Sequence, residues 1–144
     1  MALPYGRSNV DTTPILRGDA LFKDNETLAQ DGGRSGDLVS YTVMARDPAT
    51  NKLVPLTNAA AADGTEIPAG LSVHTATEAA IQAGDITGYQ LYVKCVIDEA
   101  SIVLENSLTL ETELTNQNQT IRDMLIKADI IPIPGVDIDR PENA

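Results

Sequence analysis

Residues 89–98 restrict the fold more than any other stretch. Tyr89, Leu91, Val93, Cys95 and Ile97 alternate there with Gln90, Tyr92, Lys94 and Asp98. A period of two sends one set to a core and leaves the other mostly facing water, which is a half-buried strand. The segments before it read the same way, cut by turn residues. Asp47-Pro48 opens a turn, because proline presets φ and aspartate bonds its own backbone. Residues 52–56 form a short apolar strand, Asp63-Gly64 is a second turn, and Pro68 and Gly70 precede a strand at 71–73.

Two further strand signals flank these. Val39, Tyr41 and Val43 alternate with Ser40 and Thr42 and open the globular body at Asp37. Leu71, Val73 and Thr75 share one face, with His74 on the other. The four alanines at 59–62 are a loop or a helical turn, too few to nucleate a helix alone. Asp98-Glu99 reads as a solvated turn, followed by an extended piece at 100–104.

The helical period occurs near the carboxyl end. Ile121, Met124, Leu125 and Ala128 recur at i, i+3, i+4 and i+7, and Thr120 stands three residues before Asp123 as a cap. The spacing predicts a helix of roughly 9 to 14 residues, held by tertiary packing. Ile130-Ile-Pro-Ile-Pro134 cannot extend it, since proline lacks a donor and pushes the preceding residue to extended backbone, so an edge strand or an extended strip is expected. The predicted class is mainly β with one short C-terminal helix: an extended arm at 1–36, a β-rich domain at 37–134 and a tail at 135–144.

The arm contains Pro4, Pro14, Gly18, Gly32, Gly33 and Gly36 and follows neither period. Two apolar pieces interrupt it, Thr13, Pro14, Ile15 and Leu16, then Ala20, Leu21 and Phe22. An extended segment of this kind docks by adding main-chain hydrogen bonds to a sheet edge. The alternatives are packing on its own domain or having no fixed structure.

Composition removes several functions. With 10 basic and 21 acidic residues the net charge is -11, which repels nucleic-acid phosphate and anionic membrane, so neither is expected as a partner. Nothing at the amino terminus reads as a signal peptide, and no transmembrane helix is expected. Five aromatic residues and no tryptophan argue against sugar or base stacking. Cys95, the single cysteine, excludes an internal disulfide and falls on the apolar face as a small core residue. His74 is the sole histidine and reads as a surface or hydrogen-bonded residue. The aspartates at 11, 19, 24, 31 and 37 lack calcium-loop spacing, and no phosphate loop or nucleophile motif is present. No catalytic residue, metal ligand or cofactor is assigned. The sequons at Asn25 and Asn118 read as chance without a secretory route, as does the adhesion tripeptide Arg17-Gly18-Asp19.

The order of motifs carries a resemblance. Asp47, Asn51-Lys-Leu-Val-Pro55, an alanine-rich connector with Asp63-Gly64, and Ala69-Gly-Leu-Ser-Val73 resemble the head decoration proteins of lambda-type tailed phages. The likeness continues through residues 91–97 and 120–133 and covers about residues 36–134. Two glycines usual in that family are Cys95 and Asp129 here. The resemblance implies a structural virion protein, made in the host cytoplasm and located on the outer surface of the phage head. It would bind the major capsid protein of the expanded capsid as a homotrimer at three-fold positions, cementing it against DNA pressure. It would also put Thr13, Pro14, Ile15, Leu16, Ala20, Leu21 and Phe22 at the capsid. The competing readings are a tail or baseplate accessory protein, an outward-displayed adhesion module and, last, an enzyme with an unrecognised carboxylate site.

Overall fold

The alternating stretch around Leu91 becomes the strand on which the rest of the sheet is laid. The computed structural model describes residues 15–58, 64–114 and 117–134, with side chains from residue 20 onward. The alanine run at 59–62, Asp63, residues 1–14 and the tail at 135–144 lie outside the described residues. In chain order the elements are β1 (Ile15–Leu28), β2 (Val43–Asp47), β3 (Lys52–Pro55), β4 (Pro68–Ser72), α1 (Glu78–Ala83), β5 (Ile86–Asp98), β6 (Glu113–Leu114), β7 (Gln119–Thr120), α2 (Ile121–Lys127) and β8 (Ile130–Ile133).

Both edges of β5 are used. Along one, β1 runs antiparallel, from Ile15 opposite Ile97 to Leu28 opposite Ile86. Along the other, β4 covers Leu91 and Tyr92, and β8 continues in parallel from Cys95 to Asp98. β2 pairs with both β3 and β4, and β3 meets β1 where Leu28 lies opposite Leu53. The order β1-β3-β2-β4-β5 therefore closes on itself as a small barrel, with β8 appended. Closure satisfies backbone groups that an open sheet would leave at its edges. β1 starts beside Ile97 and β8 ends beside Asp98, at the same end of β5.

The alternation on β5 explains where the core sits. Cys95 and Ile97 join Leu71, Ile121, Leu125 and Ile130 in one buried cluster. Tyr89 and Leu91, two turns of the pleat earlier on the same face, join Leu28, Leu38, Leu53 and Ile81 in a second. One face of one strand thus lines both halves of the interior. Gly70 sits where β4 crosses closest to β5: a Cβ there would collide with the Tyr92 carbonyl oxygen and lie 2.8 Å from Leu91 Cγ.

The turns follow their residues. The Asn51 N–H donates to the Asp47 carbonyl at 2.6 Å, and the Ala49 N–H donates to Asp47 Oδ1 at 3.0 Å. Asp98 caps a short 3-10 turn at Glu99–Ser101 by accepting from the Ala100 N–H. Thr120 caps α2, its Oγ1 accepting from the Asp123 N–H at 3.2 Å, as the spacing predicts. The helix is shorter than expected at seven residues. It ends because Asp129 turns left-handed, φ 70°, with its N–H donating to the Ile126 carbonyl at 3.0 Å. That is a position where glycine would avoid steric cost.

Two local expectations differ. The Val39, Tyr41, Val43 alternation is broken because Tyr41 is left-handed, φ 69°, so Leu38 and Thr42 are buried and Val39 is exposed. The Thr42 hydroxyl meets the cost of burial by donating to the Val39 carbonyl at 2.7 Å. A second helix, α1, also appears, six residues capped by Thr77, whose Oγ1 accepts from the Ala80 N–H at 3.2 Å. It buries only Ile81, too little to leave a readable period.

Candidate contact surface

The segment read from sequence as an arm contributes β1 to the barrel from residue 15 to residue 28. Its far end is fixed. Leu28 is in the core, the Ala29 N–H donates to the Leu53 carbonyl at 3.0 Å, and Glu26 accepts from Arg46 Nη1 at 2.6 Å. That hydrogen bond, with its charge, holds the Glu26 carboxyl below the usual glutamate range despite its burial.

The near end behaves differently. Pairing between β1 and β5 shifts register five times, including between Leu21 and Phe22. On a regular strand two successive residues face opposite sides; here Leu21 and Phe22 are 52% and 51% exposed. The same shifts explain why the sequence shows no period in this region. Of the predicted capsid-binding residues, Thr13 and Pro14 lie outside the described residues, and Ile15 and Leu16 begin β1. Ala20 packs half-buried against the larger core cluster, and Leu21 and Phe22 are at the surface. Arg17, Gly18 and Asp19 are also strand residues.

Sequence reasoning missed the partners of Phe22. Tyr92, on the β5 face assigned to solvent, receives Phe22 edge-on at 6.3 Å and 84°. Tyr41 stacks on it at 6.0 Å and 10°. An aromatic residue on the polar face of an otherwise clean strand was the available signal. Tyr41 is kept in its left-handed conformation by two backbone bonds: its N–H donates to the Ser72 carbonyl at 2.8 Å, and its carbonyl accepts from the Val103 N–H at 3.0 Å. A bulky residue in that region is an outlier that the surroundings must impose. Phe22, Tyr92 and Tyr41 thus form an aromatic row, with Leu21 exposed next to Phe22. On its outer side β1 pairs with β3 at Leu28 alone, so residues 15–26 leave that edge without a neighbouring strand among the described residues.

Other features hold the fold together. Arg34, largely buried, grips Glu105 with both terminal nitrogens and donates through Nε to the Gly36 carbonyl at 2.9 Å. The Glu105 carboxylate raises the Arg34 pKa above its usual value. Beside them a cavity of about 290 Å³ opens between Leu28, Leu38, Val54, Ile81 and Asn106. Its polar walls are already bonded, Asn106 Nδ2 donating to the Leu56 carbonyl at 2.9 Å. Arg122 bridges Glu99 and Glu111 at 2.8 and 2.6 Å. His74 Nε2 meets Gln90 Oε1 at 2.6 Å, and Gln90 Nε2 donates to Asp24 at 2.5 Å, a surface chain that ties β1 to β5. Burial pushes the Cys95 thiol up to about 11, so it is a packed core residue with no thiolate at neutral pH. Among the described residues, no three His, Cys, Asp or Glu side chains group as a metal site.

No curated protein matches the chain. Residues 15–124, from the start of β1 into α2, match the family described as bacteriophage lambda head decoration protein D. That match spans the barrel, the aromatic row and the helix cap, and the chain belongs to the bacteriophage lambda head decoration protein D family.

Proposed function

We propose that this protein binds the outside of the expanded phage capsid as trimers at three-fold positions and cements it against the pressure of packaged DNA. Membership of the head decoration family, with its match over residues 15–124, carries this reading, because it implies a structural role at the phage capsid. The major capsid protein is the partner, and the outer surface of the head is the location.

The physics of the surface supports the role. A clamp needs repeated apolar contact rather than catalysis, and Leu21 and Phe22 present it beside Tyr92. The outer edge of β1, which has no neighbouring strand over residues 15–26 among the described residues, supplies main-chain donors and acceptors beside them, the requirement for adding a strand. In this reading Thr13, Pro14, Ile15, Leu16, Ala20, Leu21 and Phe22 make the capsid contact. Weak single contacts suffice in a trimer, since the second and third arms bind intramolecularly. A net charge of -11 keeps the unassembled chain soluble and off the genome.

The test is co-sedimentation with expanded, decoration-free heads beside unexpanded procapsids. Saturable binding to expanded heads alone, at three copies per three-fold position, is the expected result. A chain lacking residues 1–14 keeps all of β1 and binds more weakly. Binding to neither particle overturns the proposal.

A further inference from the structure

Basic residues are scarce in this chain, and those whose side chains are described have an internal use, with one exception. Lys23 and Arg46 meet Glu26, Arg34 grips Glu105, Lys52 meets Asp85 at 2.6 Å, and Arg122 bridges Glu99 and Glu111. Lys127 occupies the last turn of α2, where the helix dipole favours a cation. Lys94 is the exception: it is exposed, and among the described residues it forms no ion pair. The parallel ladder puts Asp129 beside it, one residue before the Ile130 registered with Cys95, and no ion pair joins the two. A lysine on an edge strand discourages strand addition. That does not explain Lys94, because β5 is flanked by β1 on one side and by β4 and β8 on the other.

Register places this cation in the apolar patch. From the pair Leu21–Lys94 to the pair Phe22–Tyr92 the ladder advances one residue on β1 and two on β5. The bulge sets two successive residues of β1 opposite two residues of a single β5 face, and cross-strand partners share a side of the sheet. Leu21 and Phe22 are accordingly both exposed, on the side that Tyr92 and Lys94 share. We infer that Lys94 is a specificity-determining residue of the capsid contact: the patch of Leu21, Phe22, Tyr92 and Lys94 fits a shell surface that is apolar and carries a carboxylate placed to meet the Lys94 ammonium. The inference rests on the proposed capsid contact and deepens it by naming the chemistry of the surface bound. The shell is the occupant because Lys94 is in register with Leu21, part of the segment proposed to meet it. Apolar contact alone discriminates poorly between surfaces of similar shape. A covered ammonium left without a carboxylate is costly, so a neutral or basic surface is rejected where an acidic one is accepted.

The test compares wild type with Lys94→Arg, Lys94→Gln and Lys94→Glu in binding to expanded, decoration-free heads at low and at high salt. Lys94 has no internal ion pair to lose, so all three variants fold, which circular dichroism confirms. Lys94→Arg is expected to bind within about twofold of wild type, Lys94→Gln about tenfold more weakly at low salt, and Lys94→Glu more weakly still. The gap between wild type and Lys94→Gln narrows at high salt, because salt screens an ion pair and leaves apolar contact intact. A merely structural lysine would lower Tm without producing that salt-dependent gap. If Lys94→Gln and Lys94→Glu bind heads as wild type does, the inference is overturned while head binding stands. It is also overturned if they change only self-association in sedimentation velocity, which gives the patch to a second copy of this chain. Failure of the wild type to bind heads overturns the proposed function, and the inference with it.

Discussion

Gly70→Ala tests the packing that closes the barrel. The new Cβ meets the Tyr92 carbonyl oxygen, Leu91 Cγ at 2.8 Å and Leu91 Cδ2 at 3.0 Å. Leu91 can retreat by a rotamer change, but the carbonyl cannot move without separating β4 from β5, which are registered at Leu71–Tyr92 and Ser72–Leu91. Overpacking of ordinary side chains costs about 1–3 kcal/mol. A backbone obstacle puts this substitution at the top of that range, about 3 kcal/mol, or a fall in Tm of roughly 10 °C for a chain of this size. Urea unfolding followed by far-ultraviolet circular dichroism gives the difference, provided that the m-value is unchanged. Gly84→Ala is the control: Gly84 is extended, φ 170°, and its Cβ would meet nothing within 4 Å, so stability stays within about 0.5 kcal/mol. Adding Leu91→Val to Gly70→Ala gives no rescue, because the carbonyl remains. A Gly70→Ala protein within about 0.5 kcal/mol of wild type would refute the close-approach argument, and full rescue by Leu91→Val would locate the clash in the side chain.

Four further outcomes are expected. Asp129→Gly relieves the left-handed residue at φ 70° after α2 and raises stability by about 0.5–1 kcal/mol in the same urea assay. The lowered Glu26 pKa makes the Arg46 bond an acid-sensitive one. Its contribution is fully present above the ordinary value of 4.5 and disappears as pH falls through the lower folded value, so Arg46→Met flattens the acid limb of a stability-against-pH curve. Cys95 resists a maleimide in the native protein and reacts once urea unfolds it, as the residue is 1% exposed and burial pushes its thiol pKa up to about 11. Leu21→Ser with Phe22→Ala lowers affinity for expanded heads at least tenfold while Tm falls by less than about 4 °C, because both side chains are half exposed in the free protein.

Much of this fold was legible because its signals are local. The β5 alternation, the Asp47-Pro48 turn, the Thr120 cap and the proline-ended edge strand each depend on residues within a few positions of one another. What escaped the sequence depends on long-range pairing. β1 has no period because its register against β5 slips repeatedly, and a slipped strand scatters its apolar residues over both faces. Tyr41 breaks a clean alternation because Ser72 and Val103, distant in sequence, hold its backbone left-handed. The apolar pair Leu21 and Phe22 was visible as composition. Its aromatic support was not, since Phe22, Tyr41 and Tyr92 are joined only by the fold.

The strand that anchors the core also bounds the contact surface. One edge of β5 holds β1 in place, its inward face carries Leu91, Cys95 and Ile97, and its outward face carries Tyr92 beneath Phe22. A change in the packing of Leu91 or Cys95 therefore shifts the platform under Leu21 and Phe22 without touching either side chain. Glu26 and Leu28 fix β1 beyond the exposed pair, so the same strand is firmly held at one end and exposed toward the other. The proposed capsid contact would draw on both properties. Under that proposal the fixed end would pass load into a closed barrel, where the strands share it through their neighbours, and the exposed end would meet the partner.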